Sequence, residues 1–537
     1  MSGDAGAGER LQRLPWWAAL LCAAVGGFLL DVASPELAWW PASFIGCALA
    51  LAGAWQQRAG FGALVGAVAG AAFWLPHISW LTLYLGPVPW LGASAVMILW
   101  YALLGLAVAL ATRGLAVLLR AHPAILTLAQ SLTAAGLWVL REQVQGLWPY
   151  DGFSWGRLAH MQANGPLLES VSWLGLTGLG GAVAFACALP VAAAMSAGRR
   201  RVIVSLGGAL AVLLVLALVP PATASPDGAL RVAAVQGNSK SGIFDDRESG
   251  DVLDDHVRAT TEMLDRLESR GERVDVIVWP ENSAEFGLPD HPLSAQRVAM
   301  LARRAEAPIV VGSVLEDPDG SYTNSSLVWG PDGGTGERYD KRYPVPFAEY
   351  MPSRAFFHAL APELVDLVQL DYRAGTRAPA VDVETADGVV RAGLAICFDI
   401  TFDEQAVAMV DAGAQVIFAQ TNNADFGRTD ENEQQLAIAR LRAVEMGRAV
   451  VNISTVGTSA IVGADGGDIA DVPPYTAGSM VAEVPLSAER TPALRFGAAI
   501  AAAWMLCGGI GLGAGFLALI RHARAAPVSR RRRSDGV

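Results

Sequence analysis

Long apolar runs fill most of the first 220 residues and return after residue 492, and they constrain the fold more than any other feature. A helix needs about 20 apolar residues to cross the hydrocarbon core of a bilayer. Only 17% of the residues are charged, whereas soluble proteins have about 25%. The sequence therefore predicts a multi-pass α-helical membrane bundle of about eight helices. The candidate spans are 15–31, 37–55, 61–84, 88–112, 123–141, 168–196, 201–220 and 492–520.

The basic residues predict how these spans are oriented, because cytoplasmic loops of membrane proteins are enriched in Lys and Arg. With the N-terminus in the cytoplasm, the outer loops near 32–36 and 85–88 carry neither residue. Seven spans then precede the polar segment, so this segment is expected outside the cytoplasmic membrane. The basic residues of the loops and tail predicted to lie inside are Arg58, Arg113, Arg120, Arg199, Arg200, Arg201, Arg521, Arg524 and the run Arg530–Arg533.

The expected organisation has three parts. Residues 1–227 form a membrane domain with seven spans, and residues 228–488 form an extracytoplasmic domain. Residues 489–537 form a last span with a basic cytoplasmic tail. The net charge of −12 reflects the acidic middle domain. A basic run beside a hydrophobic span indicates the cytoplasmic face and anionic lipid rather than nucleic acid.

Strands and helices alternate within the polar segment. Residues 322–334 predict a strand entering a Pro-Asp-Gly-Gly turn, and therefore half of a hairpin. Continuous apolar strands separated by helices favour a sheet with helices on one face and a second sheet or the membrane on the other. Strands are predicted at 230–238, 274–281, 307–316, 389–399, 414–423 and 449–457, and helices at 251–270 and 431–447.

Three polar residues follow predicted strands or lie in the loops between them, where the scaffold exposes side chains. Glu281 ends VIVWPE, Lys341 lies in ERYDKRYPVPFAEYMP, and Cys397 ends AGLAICFD. A thiol with a pKa of about 8.5 needs an adjacent base, for which Glu281 is the candidate. The Lys341 ammonium and the backbone N–H of Phe398 are candidate donors to an oxyanion. Each residue alone is more often a packing, turn or surface residue, but their combination predicts covalent acyl transfer.

The other cysteines and the histidines exclude competing chemistries. Cys397 is the only cysteine of the polar segment, so no disulfide is expected there, and no cysteine or histidine spacing indicates a metal site. No histidine of this segment is well placed as a base, which disfavours a Cys-His protease. Four cysteines lie in apolar runs and are expected to pack there: Cys22, Cys47, Cys187 and Cys507.

Two segments predicted to lie outside are rich in aromatic residues. Such residues form a belt at the membrane surface, or they line a lipid-facing vestibule beneath the polar domain. The sequence leaves both interpretations open. The residues are Trp74, Trp80, Tyr84 and Trp90 in one segment, and Trp148, Tyr150, Phe153 and Trp155 in the other.

Around Glu281, Lys341 and Cys397 the chain resembles the carbon–nitrogen hydrolase, or nitrilase, superfamily. That superfamily uses a Glu–Lys–Cys triad in this chain order. The later segments FAQTNNADF and ARLRAVEMGRAVV are also similar to superfamily segments, and the resemblance covers about residues 230–485. It implies an α/β nitrilase-type αββα sandwich.

The apolar spans around this domain are similar to those of the apolipoprotein N-acyltransferase family, as are VQGN (235–238), VPFAEYMP (345–352) and DGFSWGRLAHMQANGP (151–166). The resemblance implies a bacterial cytoplasmic-membrane enzyme without cofactor or metal. A phospholipid, typically phosphatidylethanolamine, gives an acyl chain to a cysteine as a thioester. The α-amino group of a diacylglyceryl-cysteine lipoprotein then takes the chain, which yields a triacylated lipoprotein.

By the same resemblance Glu281 is the base, Lys341 stabilises the oxyanion, and Cys397 is the nucleophile. Glu349, in FAEYMP, matches a second acidic residue that supports the triad. Three positions depart from the family pattern and bear on substrate preference. Phe398 and Asp399 stand where the family often has Tyr and Glu, and Gln435 stands where some members have His.

Two other functions remain open at this point. A membrane-tethered amidase or nitrilase-type hydrolase would pass the acyl group to water instead of an amine. A non-catalytic membrane scaffold or transporter would need no reactive group at Cys397.

Overall fold

The computed structural model describes residues 13–196, 199–222, 226–242 and 245–525; the basic run Arg530–Arg533 lies outside these ranges. Helices account for nearly all of the N-terminal part, as the apolar runs predict. These helices are α1 (Trp16–Ala33), α2 (Pro41–Ala54), α3 (Ala59–His77), α4 (Leu81–Leu85), α5 (Pro87–Leu118), α6 (Pro123–Gln145), α7 (Val171–Ser196) and α8 (Arg199–Leu218).

The polar segment contains two six-stranded sheets, which together are called the sandwich below. The first has the order β12-β1-β2-β3-β4-β5 and the second the order β11-β10-β9-β8-β7-β6. The strands are β1 (Gly228–Gln236), β2 (Val276–Val278), β3 (Ile309–Glu316), β4 (Tyr322–Gly330), β5 (Gly333–Asp340), β6 (Ala380–Thr385), β7 (Gly388–Ile396), β8 (Val416–Thr421), β9 (Val450–Ser454), β10 (Ser459–Val462), β11 (Asp468–Val472) and β12 (Gly478–Leu486).

Among the described residues of this segment, six α-helices accompany the strands. The predicted helices at 251–270 and 431–447 are confirmed, whereas the other four were not predicted. The hairpin expected near residue 331 is formed by β4 and β5, which pair antiparallel. The helices are α9 (Asp251–Arg270), α10 (Pro292–Ala305), α11 (Arg354–Leu360), α12 (Pro362–Val365), α13 (Asp403–Asp411) and α14 (Glu431–Met446).

Alternation along each strand divides the apolar side chains between two cores. On β1, Val232 and Ala234 face the second sheet and pack in one cluster with Leu394 of β7. Ala233 and Val235 face the other way, against α9 and α10. α13 and α14 cover the outer face of the second sheet. The layers therefore run αββα, and the alternative left open by the sequence is decided in favour of a second sheet.

A last helix, α15 (Pro492–Ala525), follows the sandwich and packs against α5, α6 and α7. Backbones approach closely where glycines meet, as is common between membrane helices. A β-carbon on Gly508 would lie 2.6 Å from the carbonyl carbon of Gly136 on α6, and one on Gly114 would lie 1.9 Å from the oxygen of Gly515. These contacts hold α15 in one helical bundle with α5 and α6.

Within the described residues, seven helices are long and apolar enough to cross a membrane. The exception among the eight predicted spans is α2, which has 14 residues and is about 21 Å long at about 1.5 Å per residue. It begins at Pro41, which suits the first turn of a helix. The span expected at 61–84 ends at His77, and a separate short helix, α4, follows it.

α14 joins the sandwich to the membrane helices, because it packs on α7 as well as on the second sheet. Its Gln434 accepts hydrogen bonds from the indole N–H groups of Trp80 and Trp155, at 3.2 and 2.6 Å. Its fully buried Arg442 and Arg157 of the α6–α7 loop both donate to Oδ1 of Asp403, at 2.7 Å each. Burial alone would raise the pKa of Asp403, but the two guanidinium groups hold it well below its usual range.

We expect Gly508→Leu to destabilise the protein, because its side chain meets the backbone of α6. Overpacking of this kind costs about 1–3 kcal/mol. Gly509→Leu is the matched control, since nothing lies within 4 Å of a β-carbon there. Thermal unfolding of the two variants in detergent, followed by size-exclusion chromatography, measures the difference. Equal midpoints for the two variants would contradict the close α6–α15 contact.

Candidate active site

Cys397 stands at a sharp turn between β7 and a short 3₁₀ helix, Cys397–Thr401. Its φ of 50° lies in the left-handed region, which residues with a side chain seldom adopt. The Asp399 carboxylate closes the turn by accepting hydrogen bonds from the N–H groups of Ile396 and Tyr343, at 3.0 and 2.9 Å. It also accepts one from the Tyr339 hydroxyl at 2.7 Å. The turn thus places the thiol beyond the C-terminal end of β7.

Asp399, which stands where the family often has Glu, is fully buried. Its hydrogen bonds to the turn show that its role here is structural. Burial raises the pKa of its carboxyl to about 6, against the opposing effects of Lys341 and of the hydrogen bonds at the turn. These bonds stabilise the charged form. Asp399 therefore supports the geometry of the turn from behind the thiol.

Glu281, Lys341 and Glu349 meet in one buried cluster, although they come from separate segments. Lys341 directly follows β5, and its Nζ donates to Glu281 Oε1 at 3.1 Å and to Glu349 Oε1 at 3.0 Å. Asn324 of β4 donates to the same two oxygens, at 2.7 and 3.0 Å. The N–H of Val345 donates to the other oxygen of Glu349, at 2.7 Å. Two carboxylates thus share one ammonium and one amide.

Burial and charge set opposite protonation preferences in this cluster. Burial lowers the pKa of Lys341, but Glu281 and Glu349 outweigh it and raise the pKa well above its usual value. Burial raises the pKa of Glu281, which Lys341 partly offsets. Burial and Glu281 raise the pKa of the Cys397 thiol, again against Lys341. Lys341 therefore stays charged, and the resting thiol keeps its proton.

A cavity of about 790 Å³ contains the cluster and the thiol. It reaches from Glu281, Lys341 and Cys397 to apolar side chains of α5, namely Ala93, Val96 and Met97. This combination of a polar end and an apolar end suits an amphiphilic ligand.

Five of the eight aromatic residues singled out in the sequence line this cavity, which favours a vestibule for that set. Trp148 does not line it and is 59% exposed, as a residue of an interfacial belt would be. The five are Trp80, Tyr84, Tyr150, Phe153 and Trp155.

Phe398, which follows the thiol in the chain, also departs from the family pattern. It lacks the hydroxyl of a tyrosine and makes contacts with other aromatic rings. Its ring centroid lies 6.1 Å from that of Phe153 in a stacked arrangement and 5.0 Å from that of Phe402, edge to face. Phe153 belongs to the α6–α7 loop. Phe398 therefore packs the turn that bears the thiol against the membrane part.

A second polar group reaches the thiol from α14, and of its members the sequence analysis singled out only Gln435. Gln435, on α14, donates to Cys397 Sγ at 3.5 Å. Asn423 donates to Gln435 Oε1 at 2.7 Å and to Glu431 Oε2 at 2.8 Å. The run of polar residues ENEQQ, in a helix whose other residues are typical of a buried helix, could have indicated this group. Asn324 was missed as well, because one amide within a strand has no distinguishing pattern.

Two family models match the chain. The carbon–nitrogen hydrolase family matches residues 231–492, which include Glu281, Lys341 and Cys397. The apolipoprotein N-acyltransferase N-terminal domain matches residues 26–189, within the membrane helices. The two matches lie side by side along the chain in the order expected from the resemblance.

Curated proteins named apolipoprotein N-acyltransferase are similar over nearly the whole length. The protein of Mycolicibacterium smegmatis is 34% identical over 96% of this chain and 87% of its own. Those of Geobacter metallireducens and Pseudomonas syringae are 29% and 28% identical, over 83% and 90% of this chain and 85% and 94% of theirs. The resemblance inferred from the motifs is thereby confirmed, and the chain belongs to the apolipoprotein N-acyltransferase family of membrane enzymes.

Proposed function

We propose that this enzyme carries the acyl group on Cys397 as a thioester, with Glu281 as general base and Lys341 as oxyanion stabiliser. The acyl donor is a phospholipid, with phosphatidylethanolamine as the expected head group, and the acceptor is a diacylglyceryl-cysteine lipoprotein. One observation carries the proposal: a thiol, a carboxylate and an ammonium from distant segments line one cavity that continues along a membrane helix.

In the first step Glu281 takes the thiol proton as the sulfur attacks the ester carbonyl of the phospholipid. The oxyanion that forms accepts hydrogen bonds from the Lys341 ammonium and from the N–H of Phe398. The C–O bond then breaks, and Glu281 gives its proton to the departing lysophospholipid oxygen. Glu349 and Asn324 support this step, because they hold Lys341 and Glu281 in place.

In the second step the α-amino nitrogen of the lipoprotein attacks the thioester, and the C–S bond breaks. Water is the competing nucleophile, and a cavity lined by aromatic and aliphatic groups limits its access. This lining supports transfer to an amine rather than hydrolysis.

The apolar end of the cavity supports a lipid donor. Bringing an acyl chain into water costs about 0.8 kcal/mol per methylene. Ala93, Val96 and Met97 of α5 offer an apolar path from the bilayer to the thiol. An acyl chain that moves along this path stays out of water.

The same proposal includes the placement of the enzyme in the cell. Residues 1–227 and 489–537 form the membrane parts in the cytoplasmic membrane, and residues 228–488 lie on its outer side. The distribution of arginine between the loops supports this orientation. The active site then opens at the leaflet that holds both lipid substrates.

We expect Cys397→Ala to abolish the acyl adduct while the protein stays folded. Intact-protein mass spectrometry after exposure to phosphatidylethanolamine measures the adduct. Cys187→Ala is the matched control, because that cysteine lies in α7 and away from the cavity. An adduct that survives in Cys397→Ala would refute the assignment.

Glu281→Gln is expected to fail at the same step, because the amide cannot accept the thiol proton. General base catalysis contributes about 10²–10⁴-fold, so thioester formation should slow by at least about 100-fold. Rapid-quench measurement of labelled acyl-enzyme tests this. A normal rate in Glu281→Gln would remove Glu281 from the role of base.

Orientation is testable with single cysteines in a chain from which the native cysteines have been removed. Ser269→Cys lies at the exposed end of α9, and Ala121→Cys lies in the exposed turn between α5 and α6. A membrane-impermeant maleimide applied to spheroplasts should label the first and spare the second until the cells are opened. The reverse pattern would place the sandwich in the cytoplasm.

A further inference from the structure

We propose that Glu431 binds the α-ammonium group of the incoming lipoprotein and removes the proton that must leave before nitrogen attacks the thioester. This inference rests on the proposed function and names a second acid–base group for its second step. It assigns Glu431 as a catalytic residue that contacts the acceptor, distinct from Glu281, the proposed base for the thiol.

Glu431 is a buried carboxylate without a cationic partner in the described part of the chain. It is the first residue of α14, is 2% exposed and lines the same cavity as Cys397. Its Oε2 accepts a hydrogen bond from Asn423 at 2.8 Å. Within the described ranges, no Lys, Arg or His forms an ion pair with it. A buried carboxyl is charged only where a cation or another partner compensates it, so Glu431 is suited to bind a positively charged ligand that enters the cavity.

A short chain of amides links this carboxylate to the reacting sulfur. Asn423 uses its other N–H for Gln435, which in turn donates to Cys397 Sγ at 3.5 Å. The oxygen of Asn423 is held by the hydroxyl groups of Ser454 and Thr421, at 2.6 and 3.0 Å. Asn423 and Gln435 are therefore positioning residues. They fix the carboxylate two side chains away from the atom that bears the acyl group.

The charges around Glu431 suit exchange of a proton with an amine. Burial raises the pKa of its carboxyl to about 8; Asn423 lowers it, and Glu281 raises it. An α-amino group has an ordinary pKa of about 7.7–8.0, in the same range. An ammonium beside Glu431 favours its charged carboxylate, which can then accept a proton from the amine. Among the described residues, Cys397 and Tyr475 also interact electrostatically with Glu431, and the carbon of the Arg428 guanidinium lies 4.1 Å from the centroid of the Tyr475 ring.

Glu281 is poorly placed to do this work alone. Its Oε1 is already bonded to Lys341 at 3.1 Å and to Asn324 at 2.7 Å. The adjacent ammonium of Lys341 repels a second cation. An acceptor that arrives as an ammonium is therefore better received on the Glu431 side of the cavity.

The protons and electrons of the second step balance with two carboxylates. The acceptor ammonium gives one proton to Glu431, and its freed lone pair forms the C–N bond to the acyl carbon. The nitrogen then gives a second proton to Glu281. The C–S bond breaks with its electron pair on sulfur, and Glu281 returns the proton to the thiolate. Glu431 releases its proton to water, so one proton is released for each amide formed.

The test separates the two half-reactions in the full-length enzyme. Cys397 is loaded from labelled phosphatidylethanolamine, and transfer to a synthetic diacylglyceryl-cysteine peptide is then timed. Glu431→Gln keeps the shape of the side chain and removes its capacity to accept and release a proton. Glu433→Gln is the matched control, because it makes the same change two residues further along α14, where the carboxylate accepts from Thr458.

At pH 7 we expect Glu431→Gln to accumulate the thioester and to transfer it about 100-fold more slowly. The deficit should shrink as the pH rises past about 8, because the acceptor amine then loses its proton to solvent. Glu433→Gln should transfer at the normal rate. A role in folding alone would not give a deficit that depends on pH.

Three results would overturn the inference while leaving the proposed function standing: normal transfer in Glu431→Gln, an equal loss of thioester formation and transfer, or a loss that persists at every pH. A wild-type enzyme that forms no thioester on Cys397 would instead contradict the proposed function, and this inference with it.

Discussion

The buried ammonium of Lys341 is the interaction on which the rest of the site depends. An isolated charge in a buried site is strongly unfavourable, and removing one partner of a buried pair costs several kcal/mol. Here Glu281 and Glu349 together supply the opposing charge, and Asn324 satisfies an oxygen of each. Because the two carboxylates share the cation, Glu281 is held in place and keeps capacity for a proton. The segment of chain before Glu349 is tied to the cluster through the N–H of Val345.

A second constraint is the joint between the sandwich and the membrane helices. α14 lies between them and is buried along almost its whole length. It brings Gln434 to the indoles of Trp80 and Trp155, and Arg442 to the Asp403 carboxylate that also binds Arg157. The same helix carries Glu431 and Gln435 toward the thiol. One element therefore sets both the height of the active site above the membrane helices and the polar side of the cavity.

The polar end and the apolar end of the cavity have different functions. The polar end holds charges whose pKa values are shifted by burial and by each other. The apolar end, along α5 and the aromatic residues of the α6–α7 loop, receives groups that water would not stabilise. Desolvation serves both ends, because it strengthens the electrostatic interactions within the charged cluster and limits the access of water to a thioester.

The sequence by itself determined the membrane runs, most strands, α9 and α14, and it predicted Glu281, Lys341 and Cys397 as the residues on which the proposed function rests. Each of these predictions rests on the local periodicity of apolar residues, on local composition, or on a family motif around a single residue. Strands β6 and β10–β12, which lie at or next to the edges of the two sheets, were not predicted, because short or alternating apolar runs beside turn residues give weak signals. Asn324, Asn423 and Glu431 became site residues only in the tertiary structure, which also showed that Gln435 contacts the thiol. Their role depends on which strands and helices pack around Cys397. Because these amide and carboxylate side chains are far apart in the chain, the sequence around each of them does not indicate that they come together.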